Sequence, residues 1–286
     1  HQNHGPGPEQ WVLLNQWFNQ YLKGTDQNIP ATPPSTFSVS GDTATFTIEP
    51  AGRDQLVNTE IYFSYDPNSR TRFWNRADAK QANQSWSVQL PVQADLPLYV
   101  FALCRYRLPQ TVQLQYGETS TFVLNSVEHS IVPGTVDLDA LAKMPKSRTV
   151  FEDFSNGIQD WSTRDQRSIK TYKFQSPDLD NSNNKKLVLS IDPQGKQLSL
   201  RLSASSKFLD QKDNLGDFSY SKVVKGEAPQ EVLIDRSEFK SGDDKTLEWS
   251  KIATFTVSIV DAKTRQTVNL TSKEGQLILQ RIKLVD

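Results

Sequence analysis

Apolar residues follow one period near the start of this chain and another through the rest of it. Between Pro8 and Lys23, the residues Trp11, Leu14, Phe18, Tyr21 and Leu22 return at helical spacing, and Trp17 widens the stripe. Pro8 stands early, where a missing N–H is harmless, and Gly24 supplies a C-terminal stop. The pattern predicts one amphipathic helix over 8–23, with two Trp, a Phe and a Tyr on a broad face that must dock on something large. From Phe37 onward the period falls to two. Strands are expected at 37–40, 43–48, 59–65, 86–90, 98–106, 111–116 and 120–124, the first pair joined by a Gly41-Asp42 turn. Short strands and turns at this spacing predict an antiparallel sandwich of immunoglobulin or fibronectin type. Only around 76–82 does the pattern allow a helical turn.

Residues 25–35 form a Pro-rich connector, and 125–147, with Pro133-Gly134 and Pro145, read as a linker. Strands resume at 150–154, 169–174, 186–191, 198–202, 231–234, 253–260 and 276–284. Helices are all but absent there, which predicts a jelly roll or a related two-sheet closure. The expected architecture is all-β, with two β-sandwich domains preceded by one amphipathic helix. Its boundaries are 1–34 (tail loop, helix and connector), 35–126 (first sandwich), 127–147 (linker) and 148–286 (jelly roll).

Composition narrows the function classes. With 286 residues and 36% hydrophobic content, the chain is long enough for two ordinary domains. A net charge of −1 and the lack of a basic stripe argue against nucleic acid as a partner. No apolar run reaches the length of a membrane span. The one cysteine, Cys104, excludes an internal disulfide and lies in a strand-like run, which suits a buried apolar filler. Such a chain fits export from a bacterium as well as the cytoplasm. It begins at His1 without a Met, which reads as a processed or truncated product. The run Arg70-Thr-Arg72-Phe-Trp74-Asn-Arg76 mixes cations and aromatics, and reads as Arg stacked on Trp or paired with Asp66 and Asp78. Asp178, Asp180, Asp243 and Asp244 sit in polar loops and read as solvated turns rather than a glycosidase acid/base pair.

Three stretches carry a family resemblance. Asn3-His4-Gly5-Pro6 followed by Trp17-Phe-Asn-Gln-Tyr-Leu-Lys-Gly24 resembles the end of an α/β-hydrolase of acyl-peptidase or acetyl-xylan-esterase type. Tyr62-Phe-Ser-Tyr-Asp-Pro-Asn-Ser-Arg-Thr-Arg-Phe-Trp74 and Trp86-Ser-Val-Gln-Leu-Pro-Val92 resemble the β-sandwich that follows the hydrolase domain in bacterial multidomain members. Phe151-Glu-Asp-Phe154 with Trp161, Trp249 and Ile282-Lys-Leu-Val-Asp286 resembles galactose-binding-like jelly rolls of carbohydrate-binding modules.

The resemblance implies roles. His4 would be the catalytic base of a serine hydrolase triad in a full-length parent, on a loop from which its ring reaches the nucleophile. No serine here has glycines two before and two after, so the nucleophile elbow is absent, and alone His4 reads as a terminal histidine. In such jelly rolls the first and last strands are neighbours, and carboxylates there hold a structural calcium, which nominates Glu152 and Asp286. The alternative is a pair of solvent-facing strand-end charges. Trp161 and Trp249 are candidate sugar-stacking platforms, with core packing as the alternative. The function expected is that of a non-catalytic accessory region of an exported α/β-hydrolase, with carbohydrate and a neighbouring hydrolase domain as partners. A free-standing carbohydrate-binding protein and a glycoside hydrolase are the alternatives.

Overall fold

The computed structural model describes residues 7–25, 29–69, 72–115, 117–137, 140, 144, 146, 148–154, 157–158, 161–162, 167–176, 178–206 and 215–286. It is an all-β fold with one long helix, and divides into two compact units, Gln2–Lys143 and Met144–Asp286.

In the first unit, α1 (Pro8–Lys23) keeps the predicted bounds. Gly24 takes a left-handed φ of 68° and returns its N–H to the Asn19 carbonyl, which ends the helix. Behind it come β1 (Ser35–Ser40), β2 (Thr43–Ile48), β3 (Leu56–Ser64), β4 (Asn75–Arg76), β5 (Lys80–Ala82), β6 (Ser85–Pro91), β7 (Leu98–Leu114), β8 (Gly117–Asn125) and β9 (His129–Ile131). They form two antiparallel sheets, β1-β2-β6-β5 and β4-β3-β7-β8, with β9 also paired to β7. Strict alternation along β2 and β7 sends Ala44, Phe46, Ile48, Leu98, Val100, Ala102, Cys104 and Tyr106 into the core, all without exposed surface. His129 on β9 spans the two layers: its ring packs on Phe37 and Phe46 and its Nε2 lies 2.9 Å from the Ser35 hydroxyl.

The second unit holds β10 (Val150–Glu152), β11 (Ile169–Thr171), β12 (Lys186–Ile191), β13 (Gln197–Ser205), β14 (Asp217–Lys225), β15 (Gln230–Ile234), β16 (Lys240–Ser241), β17 (Thr254–Asp261) and β18 (Leu279–Val285). The sheets β10-β18-β12-β15 and β11-β17-β13-β14-β16 contribute to one shared core. Leu187, Leu189, Ile282 and Leu284 from one sheet cluster with Leu200, Leu202, Phe255 and Val257 from the other, the layering of a β-sandwich.

Several boundaries differ from the sequence expectation. Where the pattern allowed a helical turn, at 76–82, the chain forms the short strands β4 and β5. The two strands expected at 98–106 and 111–116 are one 17-residue strand, β7, whose register shifts between Arg107 and Val112. That bulge accommodates Pro109, which has no N–H for a regular ladder. Residues 129–131, expected within a linker, pair with β7. A short helix, α2 (Lys273–Ile278), replaces the first turn of the strand expected at 276–284. It passes so close to the preceding loop that a Cβ on Gly275 would lie 2.0 Å from the Asn269 carbonyl oxygen. Strand β14 was not expected at all.

Candidate functional site

The first unit departs from ordinary amphipathic packing in the seating of α1. Its first turn is held by charge: Glu9 accepts a hydrogen bond from Arg105 Nε at 2.8 Å and another from the Thr121 hydroxyl. Arg105 also faces Glu60, which pairs with Arg76 at 3.2 Å, so a four-residue ionic chain runs from α1 across β7 and β3 to β4. On the strand beneath, Thr119, Thr121 and Val123 alternate on the face that receives the helix.

The helix rests on this sheet with the wrong side for hydrophobic burial. Val12 is its one fully buried residue, and the Oε1 atoms of Gln16 and Gln20 are buried without a hydrogen-bond partner among the described residues. Leu14, Trp17, Phe18, Tyr21 and Leu22 are exposed, at 40, 46, 42, 62 and 71% of their surface. These residues are spaced i, i+3, i+4, i+7 and i+8, one continuous apolar stripe. Trp17 is edge-on to Phe18 at 5.4 Å and tilted over Tyr21 at 5.1 Å, so the stripe is pre-assembled. The stripe was legible as an apolar face. The ionic chain at Glu9 was not, because Arg105 lies 96 residues away in sequence.

The residues singled out from sequence fall as follows. His4 lies outside the described residues. Trp249 is wholly buried, its Nε1 donating to the Lys185 carbonyl at 2.7 Å and its ring stacked on Phe174 at 5.7 Å. Trp161 is 6% exposed, sits between Phe151 and Phe154, and donates from Nε1 to Glu152 Oε2 at 2.8 Å. Both indoles belong to the buried core cluster of the second unit.

Glu152 and Asp286 are not brought together. Glu152 is opposite Ile282 on β18, four residues before Asp286, or about 13 Å along the strand at about 3.3 Å per residue. Each is already neutralised by its own lysine. Glu152 accepts from the N–H groups of Asp153 and Phe154, from Trp161 and from Lys173 Nζ. Asp286, 87% exposed at its side chain, meets Lys185 Nζ at 2.6 Å, and Lys185 also reaches Asp180 at 3.0 Å. The Ser182 hydroxyl, and after it Lys185, hold the Asp180 carboxyl below its usual range. Asp286 and then Asp180 raise the Lys185 ammonium. Among the described residues no three His, Cys, Asp or Glu side chains converge as a metal site.

Two further groups were read correctly as structural. Arg72 lies over the Tyr99 ring at 3.4 Å and the Trp74 ring at 5.4 Å, the stacking expected for the Arg70–Arg76 run. Cys104 is fully buried, as expected of an apolar filler, and that burial pushes its thiol up to about 11. No helix among the described residues is long and apolar enough to cross a membrane. Compared with known proteins, the chain matches no family model and no curated sequence.

Proposed function

We propose that this chain is a non-catalytic accessory region of an exported α/β-hydrolase, and that the hydrolase domain covers the exposed face of α1. The observation that carries the reading is the inverted seating of α1. A helix ordinarily buries its apolar stripe, yet here two glutamine oxygens are buried and five large apolar side chains are exposed. Covering what remains exposed of each, 40–71% of its surface, would stabilise the assembly by about 1–2 kcal/mol. The likeness of 3–6 and 17–24 to a hydrolase tail supplies the identity of the cover, with His4 as its catalytic base. In this reading the first unit is an immunoglobulin-like sandwich and the second a galactose-binding-like jelly roll.

The test is the coding sequence upstream of the His1 codon, taken with activity and one double variant. A Gly-x-Ser-x-Gly domain is expected in frame, active on a p-nitrophenyl ester only when joined to this chain's His4. In the joined protein, Trp17→Ser with Phe18→Ser lowers the melting temperature of the hydrolase domain. An upstream region with no such domain overturns the reading, as does ester turnover by the present chain that His4→Ala abolishes.

A further inference from the structure

The side of α1 opposite its apolar stripe is rich in carboxamides. Val12, Asn15, Gln16 and Asn19 are spaced i, i+3, i+4 and i+7 and share one face. That face borders a cleft of about 290 Å³, at the lower edge of the size range of small-ligand sites. The other side of the cleft is β7 where its register shifts, with residues 108–111 opposite the single residue Ser120 of β8. Val12, Leu108, Pro109 and Val112 make the apolar walls. The other lining residues are Asn15, Gln16, Asn19 and Gln110, so among the described residues no charged side chain and no aromatic ring lines the cleft.

The state of those carboxamides is the second observation. Gln16 Oε1 is buried without a hydrogen-bond partner, and the side chains of Asn15, Asn19 and Gln110 make no hydrogen bond, all among the described residues. A buried acceptor that lacks a donor is costly, so a ligand N–H gains most at that atom. Each carboxamide offers an acceptor oxygen and two N–H donors, the complement of a peptide group. Asn15 and Asn19, four residues apart on the helix, carry Cβ atoms about 5–6 Å apart. Peptide groups that face one way along an extended chain repeat every two residues, about 6.6 Å. The two spacings agree within the reach of an asparagine side chain.

We infer that this cleft binds an uncharged, extended peptide segment. One branched apolar side chain would enter between Val12, Leu108, Pro109 and Val112, while the peptide backbone would pair with the carboxamides and give an N–H to Gln16 Oε1. A charged ligand would lose its water here and gain no counter-charge. An alkyl chain would fill the walls and leave Gln16 Oε1 unmatched. Nucleobases are held by stacking on aromatic side chains, and none lines the cleft. The cleft lies across α1 from the stripe that the hydrolase domain is proposed to cover, and uses none of its residues.

The experiment is a titration of the whole chain followed by amide NMR. The probes are N-acetyl-Ala-Leu-Ala-N-methylamide, the same blocked peptide with Glu in place of Leu, and isoamyl alcohol, which has the branched alkyl group without peptide groups. The leucine peptide should saturate with a Kd of about 1 mM and shift amides of α1 and of residues 108–112. The glutamate peptide and the alcohol should each bind at least about tenfold more weakly. Gln16→Met, which removes the orphaned oxygen at nearly constant volume, should weaken binding about tenfold and melt no lower than the parent. Asn15→Ala, at an exposed position where folding is little affected, should weaken it about threefold or more. Val112→Trp should fill the cleft and abolish binding. Trp17→Ser with Phe18→Ser, on the far side of α1, should leave it unchanged. The inference is overturned if the leucine peptide does not saturate, or if either other probe binds equally well. Unchanged binding in both Gln16→Met and Asn15→Ala, or loss of binding in the Trp17 and Phe18 double variant, overturns it as well.

Discussion

Glu152 is a buried junction, and replacing it with Ala should destabilise the second unit more than any other single carboxylate change. Its side chain is 10% exposed and that of Lys173 is 14%, so the pair is screened little by water. One oxygen accepts from the Asp153 and Phe154 N–H groups at 3.1 and 3.0 Å, the other from Trp161 Nε1 and Lys173 Nζ. The carboxylate thus ties β10 to the turn at Phe154, to the core indole and to the 3-10 turn Lys173–Gln175. The Phe154 N–H matters because Phe154 holds a φ of 55°, a left-handed backbone that phenylalanine rarely adopts. Breaking one side of a buried ion pair costs about 3–5 kcal/mol. Hydrogen bonds to a charged group, at about 1.5–3 kcal/mol each, support the upper part of that range.

For a unit of about 140 residues, 1 kcal/mol moves the melting temperature by about 3–4 °C. Calorimetry of Glu152→Ala should therefore show a transition lowered by about 12–20 °C. Glu152→Gln keeps one oxygen for the two backbone donors but loses the charge facing Lys173, and should fall between the variant and the parent. A drop of less than about 3 °C for Glu152→Ala would refute the reasoning. Equal damage from Gln and Ala would refute the part assigned to the backbone N–H groups.

Because Glu152 and Asp286 are neutralised by Lys173 and Lys185 and lie at different heights on β18, melting curves in chelator and in millimolar calcium should coincide. A calcium-dependent rise that Glu152→Gln removes would restore the two-carboxylate clamp. Stability should also fall on the alkaline side through Cys104, whose folded thiol titrates near 11 while the unfolded chain ionises from about 8.5. A raised folded pKa leaves this contribution complete below about pH 8.5, and about 2 kcal/mol should be lost by pH 10. Denaturant unfolding at pH 8 and pH 10 measures that slope. Cys104→Ala should flatten it, and an unchanged slope would remove the thiol as its cause.

How much of this was legible in the sequence depended on whether the signal was local. Pro8 and Gly24 bound α1 through their own backbone chemistry, and the apolar alternation of 43–48 and 186–191 needs no distant partner. The continuity of β7 across 107–110 could not be read locally, because the bulge that carries the strand past Pro109 depends on the partner β8. Strand β14 went unseen because Lys222 and Val223, both exposed, interrupt the alternation of Phe218 and Tyr220 before Val224 restores it. With β14 missing, the rows it forms with β13 and β16 could not be read either. Trp161 and Trp249 were ambiguous for a different reason: an indole looks the same in sequence whether its N–H meets Glu152, a Lys185 carbonyl or a ligand.

The helix shows most clearly where periodicity stops being informative. The spacing of Leu14, Trp17, Phe18, Tyr21 and Leu22 specifies an apolar face, and a face alone does not say which surface takes it. The choice falls to contacts that leave no local trace. Glu9 meets Arg105 and Thr121, and Val12 is buried on the same side, so the first turns fix the rotation of the whole helix and the stripe points away from the sheet. Had hydrophobic burial governed the seating, the stripe would lie against Val123 and the two buried glutamine oxygens would be in water. A rotation set by a charge pair, against the hydrophobic preference, leaves Leu14, Trp17, Phe18, Tyr21 and Leu22 exposed. In the proposed assembly this exposed face of α1 is half of an interface, and the ionic chain from Glu9 to Arg76 holds it open.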